Sequence, residues 1–255
     1  MENVALKIAL TTVEKGEVAV FFLGQAGFVL KTASGKLIAT DLYLSDCCER
    51  YFGFKRLMPH ILSADEVIFD YVVASHAHYD HFDPDSVPVL LGNGKTKFIG
   101  AMDTKEECER LGIKDNLTFV AVGDKVELED GATLTAFRCD HGKDTPHAIG
   151  LLFEIDGKKI YMMGDTAYRP EWLDDDSIKS VDLLILPING AFGNLNSTEA
   201  AKVAGALNPK LAVPCHYWNF AEHYGSPYEF MSEMKANCPD VPYTLMRQGE
   251  MIKLS

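Results

Sequence analysis

The stretch VVASHAHYDHFDPDS, residues 72–86, decides how this chain is read. A short apolar run, Tyr71 to Ala74, ends abruptly in His76, His78, Asp80 and His81. The chain has only eight histidines, so three of them within six residues are not scatter. Residues two apart share one face of extended chain, which lets His76 and His78 grip a single ion. Asp80 and His81 lie one turn further on if the chain curls there, within reach of a second ion. Imidazole nitrogen and carboxylate oxygen together suit zinc, manganese or iron.

The same pattern recurs along the chain. ATLTAFRCD stops at His141, KKIYMMG at Asp165 and KLAVPC at His216. In α/β proteins the loops beyond strand carboxyl ends are where sites are built. A lone histidine is usually structural, and DHFDPDS also holds plausible helix caps. Four apolar runs that each end in a ligand-type residue outweigh that bland reading.

Around these points the chain reads as one α/β domain spanning residues 1–255. EVAVFFLG, AGFVLKT and KLIATD read as strands, so the N-terminal third is expected to be β-structure, with a less regular stretch over 42–65. FDYVVAS is a buried strand. DSVPVLLG and DTKEECERLGI read as helices, the latter capped by Asp103 with Glu106 three residues on. TKFIGA, LTFVAV, KVELED, ATLTAFRC, AIGLLFEID and KKIYMMGD follow as strands, with Asp156-Gly157 as a hairpin turn. After the strand VDLLILPI, NSTEAAKVAGALN carries a capping pattern at Asn196 and Glu199 and places Ala200, Val203, Ala204 and Leu207 on one face. KLAVPCH is a strand, SPYEFMSEMKAN a helix, and YTLMRQGEMIKL a last strand. Mixed sheets with helices outside them are the expected architecture.

Composition narrows the partners. The chain has 37 acidic and 24 basic residues and a net charge of −13, which repels a phosphate backbone and argues against nucleic acid. No apolar run is long enough to span a bilayer, so no membrane partner is expected. The opening MENVALKIAL lacks a basic n-region and a small-residue cleavage site, which points to a cytoplasmic protein. The six cysteines form no C-x-x-C pair and are expected as buried free thiols.

Ser75-His76-Ala77-His78-Tyr79-Asp80-His81 resembles the H-x-H-x-D-H signature of the metallo-β-lactamase superfamily. Cys139-Asp140-His141, Gly164-Asp165-Thr166 and Pro214-Cys215-His216 resemble its later metal motifs in order and spacing. More narrowly, ATDLYLSDCC, FDYVVASHAHYDHFDPDS and AGALNPKLAVPCHYWNF look like the L-ascorbate-6-phosphate lactonase branch. The resemblance implies a four-layer αββα sandwich of two mixed β-sheets flanked by helices, and two divalent metal ions, zinc or manganese, with iron as the alternative. It implies His76, His78 and His141 on the first metal, Asp80, His81 and His216 on the second, and Asp165 bridging both. His147 competes with His141 as the third histidine, or faces substrate.

Two such cations about 3.5–4 Å apart lower the pKa of a shared water from 15.7 to about 7, making hydroxide available to attack a carbon or phosphorus centre. Asp80 and Asp165 are the catalytic candidates, and Asp41 is a candidate acceptor for a ligand histidine N–H. Lys143, Arg169 and His223 are candidate receivers for a substrate phosphate. Tyr168, Tyr217 and Trp218 are candidate pocket walls, and Asn219 a candidate hydrogen-bonding partner. The expected activity is opening of a small, anionic, phosphorylated sugar lactone such as L-ascorbate 6-phosphate, in a protein that the lactonase likeness suggests is a homo-oligomer. The rivals are a phosphodiesterase or nuclease on the same scaffold, an iron-dependent redox enzyme, and a non-catalytic metal-binding protein. SHAHYDH keeps histidine where the diiron oxygen-handling branch resembles H-x-E.

Overall fold

The computed structural model describes residues 3–255. Among the described residues the strands form two mixed sheets. The first contains β1 (Val18–Gly24), β2 (Gly27–Lys31), β3 (Leu37–Thr40), β4 (Tyr71–Ala74), β5 (Lys97–Ala101), β6 (Leu117–Val120) and β13 (Met251–Leu254), in the order β13-β1-β2-β3-β4-β5-β6. The second contains β7 (Lys125–Glu127), β8 (Thr133–Arg138), β9 (Ile149–Ile155), β10 (Lys158–Met162), β11 (Leu183–Pro187) and β12 (Ala212–Cys215), in the order β12-β11-β10-β9-β8-β7. β3 through β6 pair in parallel, as do β10, β11 and β12; the remaining pairs are antiparallel.

Alternation along β1 assigns the layers. Val18, Val20 and Phe22 join the core shared with the second sheet, whereas Ala19, Phe21 and Leu23 face the opposite way. That outer side packs on Val4 and Ile8 of α1 (Val4–Leu10), Val87 and Leu90 of α3 (Val87–Leu91) and Cys108 of α4 (Thr104–Arg110). The second sheet is covered by α5 (Ser197–Leu207), whose Ala200, Val203, Ala204 and Leu207 are buried as expected, and by α6 (Pro227–Asn237). The result is the expected αββα sandwich. β1 is buried on both faces, which is why it reads as a continuous apolar run rather than as alternation.

Local chemistry explains the turns. Asp156 and Gly157 have φ of 51° and 79°, the left-handed pair that a two-residue hairpin needs between β9 and β10. Asn196 and Glu199 form a complete capping box at the start of α5.

The structure corrects the sequence expectation at four places. The N-terminal third is not all β: α1 precedes β1, and α2 (Cys47–Phe52) lies in the stretch read as irregular. Each buries only two side chains, too few for a helical period to show. Asp103 makes no side-chain cap bond, because its backbone is already helical (φ −71°, ψ −23°) rather than extended. The final strand shrinks to Met251–Leu254, since a turn closed by Glu250 N–H to Arg247 O occupies the preceding residues. All six cysteines are free, five buried and Cys139 partly so. No helix among the described residues is long and apolar enough to cross a membrane.

Candidate metal centre

The buried strand β4 hands the chain to Ser75, and a turn follows in which the His81 and Phe82 N–H groups donate to the His78 carbonyl. This turn folds His76, His78, Asp80 and His81 inward from the first sheet. The other contributors leave the second sheet: His141 after β8, Asp165 after β10 and His216 after β12. Asp165 is aimed by Gly164, whose φ is +66° and whose position a Cβ would bring to 2.8 Å from the Ile149 carbonyl oxygen. His216 itself adopts φ +64°, a strained value for a side-chain-bearing residue, held by its N–H donating to Gln25 O at 2.8 Å.

Two ligand groups result. His76, His78 and His141 form one; Asp80, His81, Asp165 and His216 form the other, and within each the ligand atoms lie within 4.8 Å of one another. In the first, His78 Nδ1 is 3.1 Å from His76 Nε2 and 3.0 Å from His141 Nε2. In the second, His81 Nε2 is 3.2 Å from His216 Nε2 and 3.3 Å from Asp165 Oδ1, and His216 Nε2 is 3.1 Å from Asp165 Oδ2. Asp165 Oδ2 also lies 3.7 Å from His141 Nε2, so this carboxylate faces both groups.

The donor chemistry tests whether cations fit. Ligands about 2.0–2.1 Å from a tetrahedral ion stand roughly 3.3 Å apart, close to the spacings seen. Asp41 only accepts, so its contact of 2.9 Å with His81 Nδ1 fixes the proton there and leaves the Nε2 lone pair facing the group. Asp41 also accepts from Ser75 N–H and Oγ–H, both at 2.7 Å. With its proton so committed, Ser75 Oγ accepts from His76 Nδ1 at 3.0 Å, and His76 Nε2 is likewise left bare. Several bare nitrogens about 3 Å apart in a buried site repel one another unless a cation lies between them. The residues fit divalent cations.

The electrostatics of the two groups are divided. Burial opposes charge on His81, but Asp165, Asp80 and Asp41 outweigh it and push its pKa well up. His216 is raised to about 9 against the same burial, by Asp165 and Asp80. Burial favours protonated Asp80 and Asp165, yet the neighbouring His81 and His216 hold both well below the usual carboxylate range. His76 and His141 are lowered, mainly by burial. His223 falls to about 4, through burial and the adjacent His216.

His78, His141, Asp80, Asp165 and His216 line a cleft of about 410 Å³, with His76 and His81 buried behind them. Of the remaining sequence candidates, His223 lines this cleft and stacks on His216, with ring centroids 4.7 Å apart. Asp41 lies directly behind His81. The others do not line the cleft. His147 and Lys143 are exposed on the surface. Arg169 is paired with Asp140, its Nε 2.6 Å from Oδ2. Tyr168 packs against the core beneath Lys202. Tyr217 is buried, its hydroxyl donating to Met246 O at 2.5 Å; Trp218 points outward and Asn219 is fully buried.

Sequence reasoning missed Gln25, whose Nε2 lies 2.9 Å from Asp80 Oδ2 and 3.1 Å from His223 Nδ1. It also missed Asn189 and Asn194 and the aromatic wall of Phe52, Phe54, Phe192 and Phe220. Gln25 follows directly on β1 and Asn189 lies two residues past β11, so the strand-end rule would have found them had it been extended to amides.

Comparison with known proteins points to one family. A family model described as the beta-lactamase superfamily domain matches residues 19–216. The chain is 27% identical over 246 residues to a UPF0173 metal-dependent hydrolase of Cupriavidus taiwanensis, covering 87% of this chain and 82% of that protein. It is 30% identical to a UPF0173 protein of Pyrococcus furiosus over 65% of this chain and 74% of that one. Among solved structures, Igni18, described as a novel metallo hydrolase from Ignicoccus hospitalis, superposes with a TM-score of 0.73 at 22% identity, covering 94% of this chain and 99% of that one.

Proposed function

This chain belongs to the beta-lactamase superfamily, and from that premise we propose that it is a metal-dependent hydrolase whose substrate is an uncharged ester or lactone. The observation that carries the reading is the convergence of the two candidate ligand groups, five of whose seven residues line one open cleft. His76, His78 and His141 would hold one cation and Asp80, His81 and His216 the other, with Asp165 between them; zinc or manganese suits this donor set. Two such ions supply Lewis acidity and an acidified water at neutral pH.

The protein's own groups do the rest. Asp41 and Ser75 hold His81 and His76 in the ligating tautomer. Gln25 fixes Asp80 Oδ2, so that carboxylate stands ready beside the floor of the cleft. There Asp80 receives the proton of the attacking water and returns it to the departing oxygen. Water adds to the carbonyl carbon, the acyl carbon–oxygen bond breaks, and an acid and an alcohol result, or a single hydroxy acid from a lactone.

The cleft does not favour the phosphorylated lactone expected from sequence, nor a phosphodiester. Among the described residues no lysine or arginine lines it, and its charged walls are Asp80, Asp144 and Asp165 besides the histidines. A phosphate group away from the ions would find no positive partner there.

Elemental analysis, followed by assays of the metal-reconstituted protein on a lactone, a thioester and bis-p-nitrophenyl phosphate, tests the proposal. Turnover of the lactone above the other two is expected. Preference for the phosphodiester would overturn the ester reading, and failure to bind any metal would overturn the whole.

A further inference from the structure

Between β11 and α5 the chain crosses the mouth of the cleft in a short loop, Asn189-Gly190-Ala191-Phe192-Gly193-Asn194. Resting on the hydrolase reading above, we propose that this loop selects an uncharged substrate carrying a flat apolar group, which packs on Phe192 while the Asn194 amide hydrogen-bonds a neutral polar atom of the same molecule.

The loop is built to hold its shape. Gly190 N–H donates to Leu195 O at 2.9 Å, Asn194 N–H to Ala191 O at 3.0 Å and Leu195 N–H to Thr166 O at 2.9 Å. Gly190 has φ +61°, and a Cβ there would meet Asn196 Cβ at 2.9 Å. Phe192 adopts φ +54°, a left-handed conformation that a bulky residue rarely accepts. That strain coincides with a residue left 59% exposed at the cleft mouth. Backbone strain of this kind persists where the surroundings impose it, and here it presents an aromatic face to the cleft.

The exposed ring is the near end of an aromatic lining. Phe192 lies 5.7 Å from Phe54 and 5.5 Å from His223, centroid to centroid, and Phe54 continues to Phe220 at 6.1 Å. His223 stacks on the ligand residue His216, so the lining runs from the mouth to the metal floor.

The polar partner is an independent observation. Asn189 and Asn194 are 1% and 6% exposed and line the cleft, yet Asn189 Oδ1 and both side-chain polar atoms of Asn194 have no hydrogen-bond partner. Buried amides are ordinarily satisfied, and a polar group entering the cleft would supply the partner these lack. An amide offers a donor and an acceptor together, which matches a carbonyl or hydroxyl. A cleft of about 410 Å³ holds a one- or two-ring molecule.

The test uses the full-length, metal-loaded protein with neutral, unhydrolysable probes. Calorimetric titration is expected to show 1-indanone binding at least tenfold more tightly than cyclopentanone, and more tightly than glucose 6-phosphate. Phe192→Ala is expected to remove most of the indanone margin and Phe192→Leu part of it; Asn194→Ala weakens both ketones. Circular dichroism checks that each variant is folded. Equal binding of the two ketones, an unchanged margin in Phe192→Ala, or preference for the sugar phosphate overturns the proposal. Turnover of dihydrocoumarin and δ-valerolactone separates the two readings. Aromatic binding preference with no ester or lactone turned over removes the hydrolytic reading alone. Turnover without aromatic preference removes this one alone.

Discussion

Asp41→Asn is the most informative single change, because the structure dictates where its effect must appear. The Asp41 carboxylate accepts three hydrogen bonds, from Ser75 N–H and Oγ–H at 2.7 Å each and from His81 Nδ1–H at 2.9 Å. Each bond to a charged group is worth about 1.5–3 kcal/mol. Asparagine is nearly isosteric but keeps only one acceptor oxygen and puts an NH₂ donor in place of the other. If that oxygen stays with Ser75 N–H, the new donor faces His81 Nδ1, and the imidazole must move its proton to Nε2. That atom points at His216 and Asp165, where a lone pair is needed for a cation. Loss of such an orienting partner typically weakens metal affinity by 10–100-fold, or about 1.4–2.7 kcal/mol. Competition against a chromophoric chelator measures this directly, with far-ultraviolet circular dichroism to show that the variant is folded. A folded Asp41→Asn protein that binds metal as tightly as the parent would refute the tautomer argument.

Four further expectations follow from the same geometry. Asp165→Ala should abolish turnover with the fold intact, and a well-folded, fully active variant would remove Asp165 from the mechanism. Metal-free protein should be most thermostable near pH 6.5, about the ordinary histidine pKa. His81 and His216 are raised, His216 to about 9, so their contribution is complete below ~6.5 and disappears as pH climbs through the folded values; His76, His141 and His223 are lowered, so theirs is complete above ~6.5 and disappears on acidification, through about 4 for His223. A melting temperature flat from pH 5 to 9 after chelation would contradict these assignments. Asn196→Ala removes half of the α5 capping box and should cost about 1 kcal/mol in urea unfolding, with the slope unchanged. Gly164→Ala forces a Cβ against the Ile149 carbonyl at a positive φ, and should lower both melting temperature and metal content; wild-type values of both would mean that the turn relaxes freely.

What could be read from the sequence was decided by how local each signal is. His76, His78, Asp80 and His81 share one loop, and His141, Asp165 and His216 each end an apolar run, so a one-dimensional pattern carries them and the structure brings all seven together. Asp41 was legible for the same reason. Arg169 looked like a phosphate receiver because its counter-ion Asp140 lies 29 positions away and meets it only in the fold. The aromatic wall was invisible for a related reason: Phe54 and Phe192 touch across the cleft from segments that have nothing in common along the chain. Helices α1 and α2 were missed because short elements with two buried residues leave no period to detect. Asn194 is neither a titratable group nor a metal ligand, and only its lack of a partner in a buried setting draws notice.

The candidate ligands are divided unequally between the two sheets: four project from the loop after β4, and three from the ends of β8, β10 and β12. Neither half can complete a coordination shell alone, so an ion would act as a rivet through the sandwich, seated only once both slabs have met. Loading would therefore report that assembly is finished, and a nascent chain that has emerged only through β6 would offer passing cations a weak, open hook. Stripping the rivet should loosen the seam between the slabs before it disturbs either slab, an order that residue-resolved amide exchange would reveal.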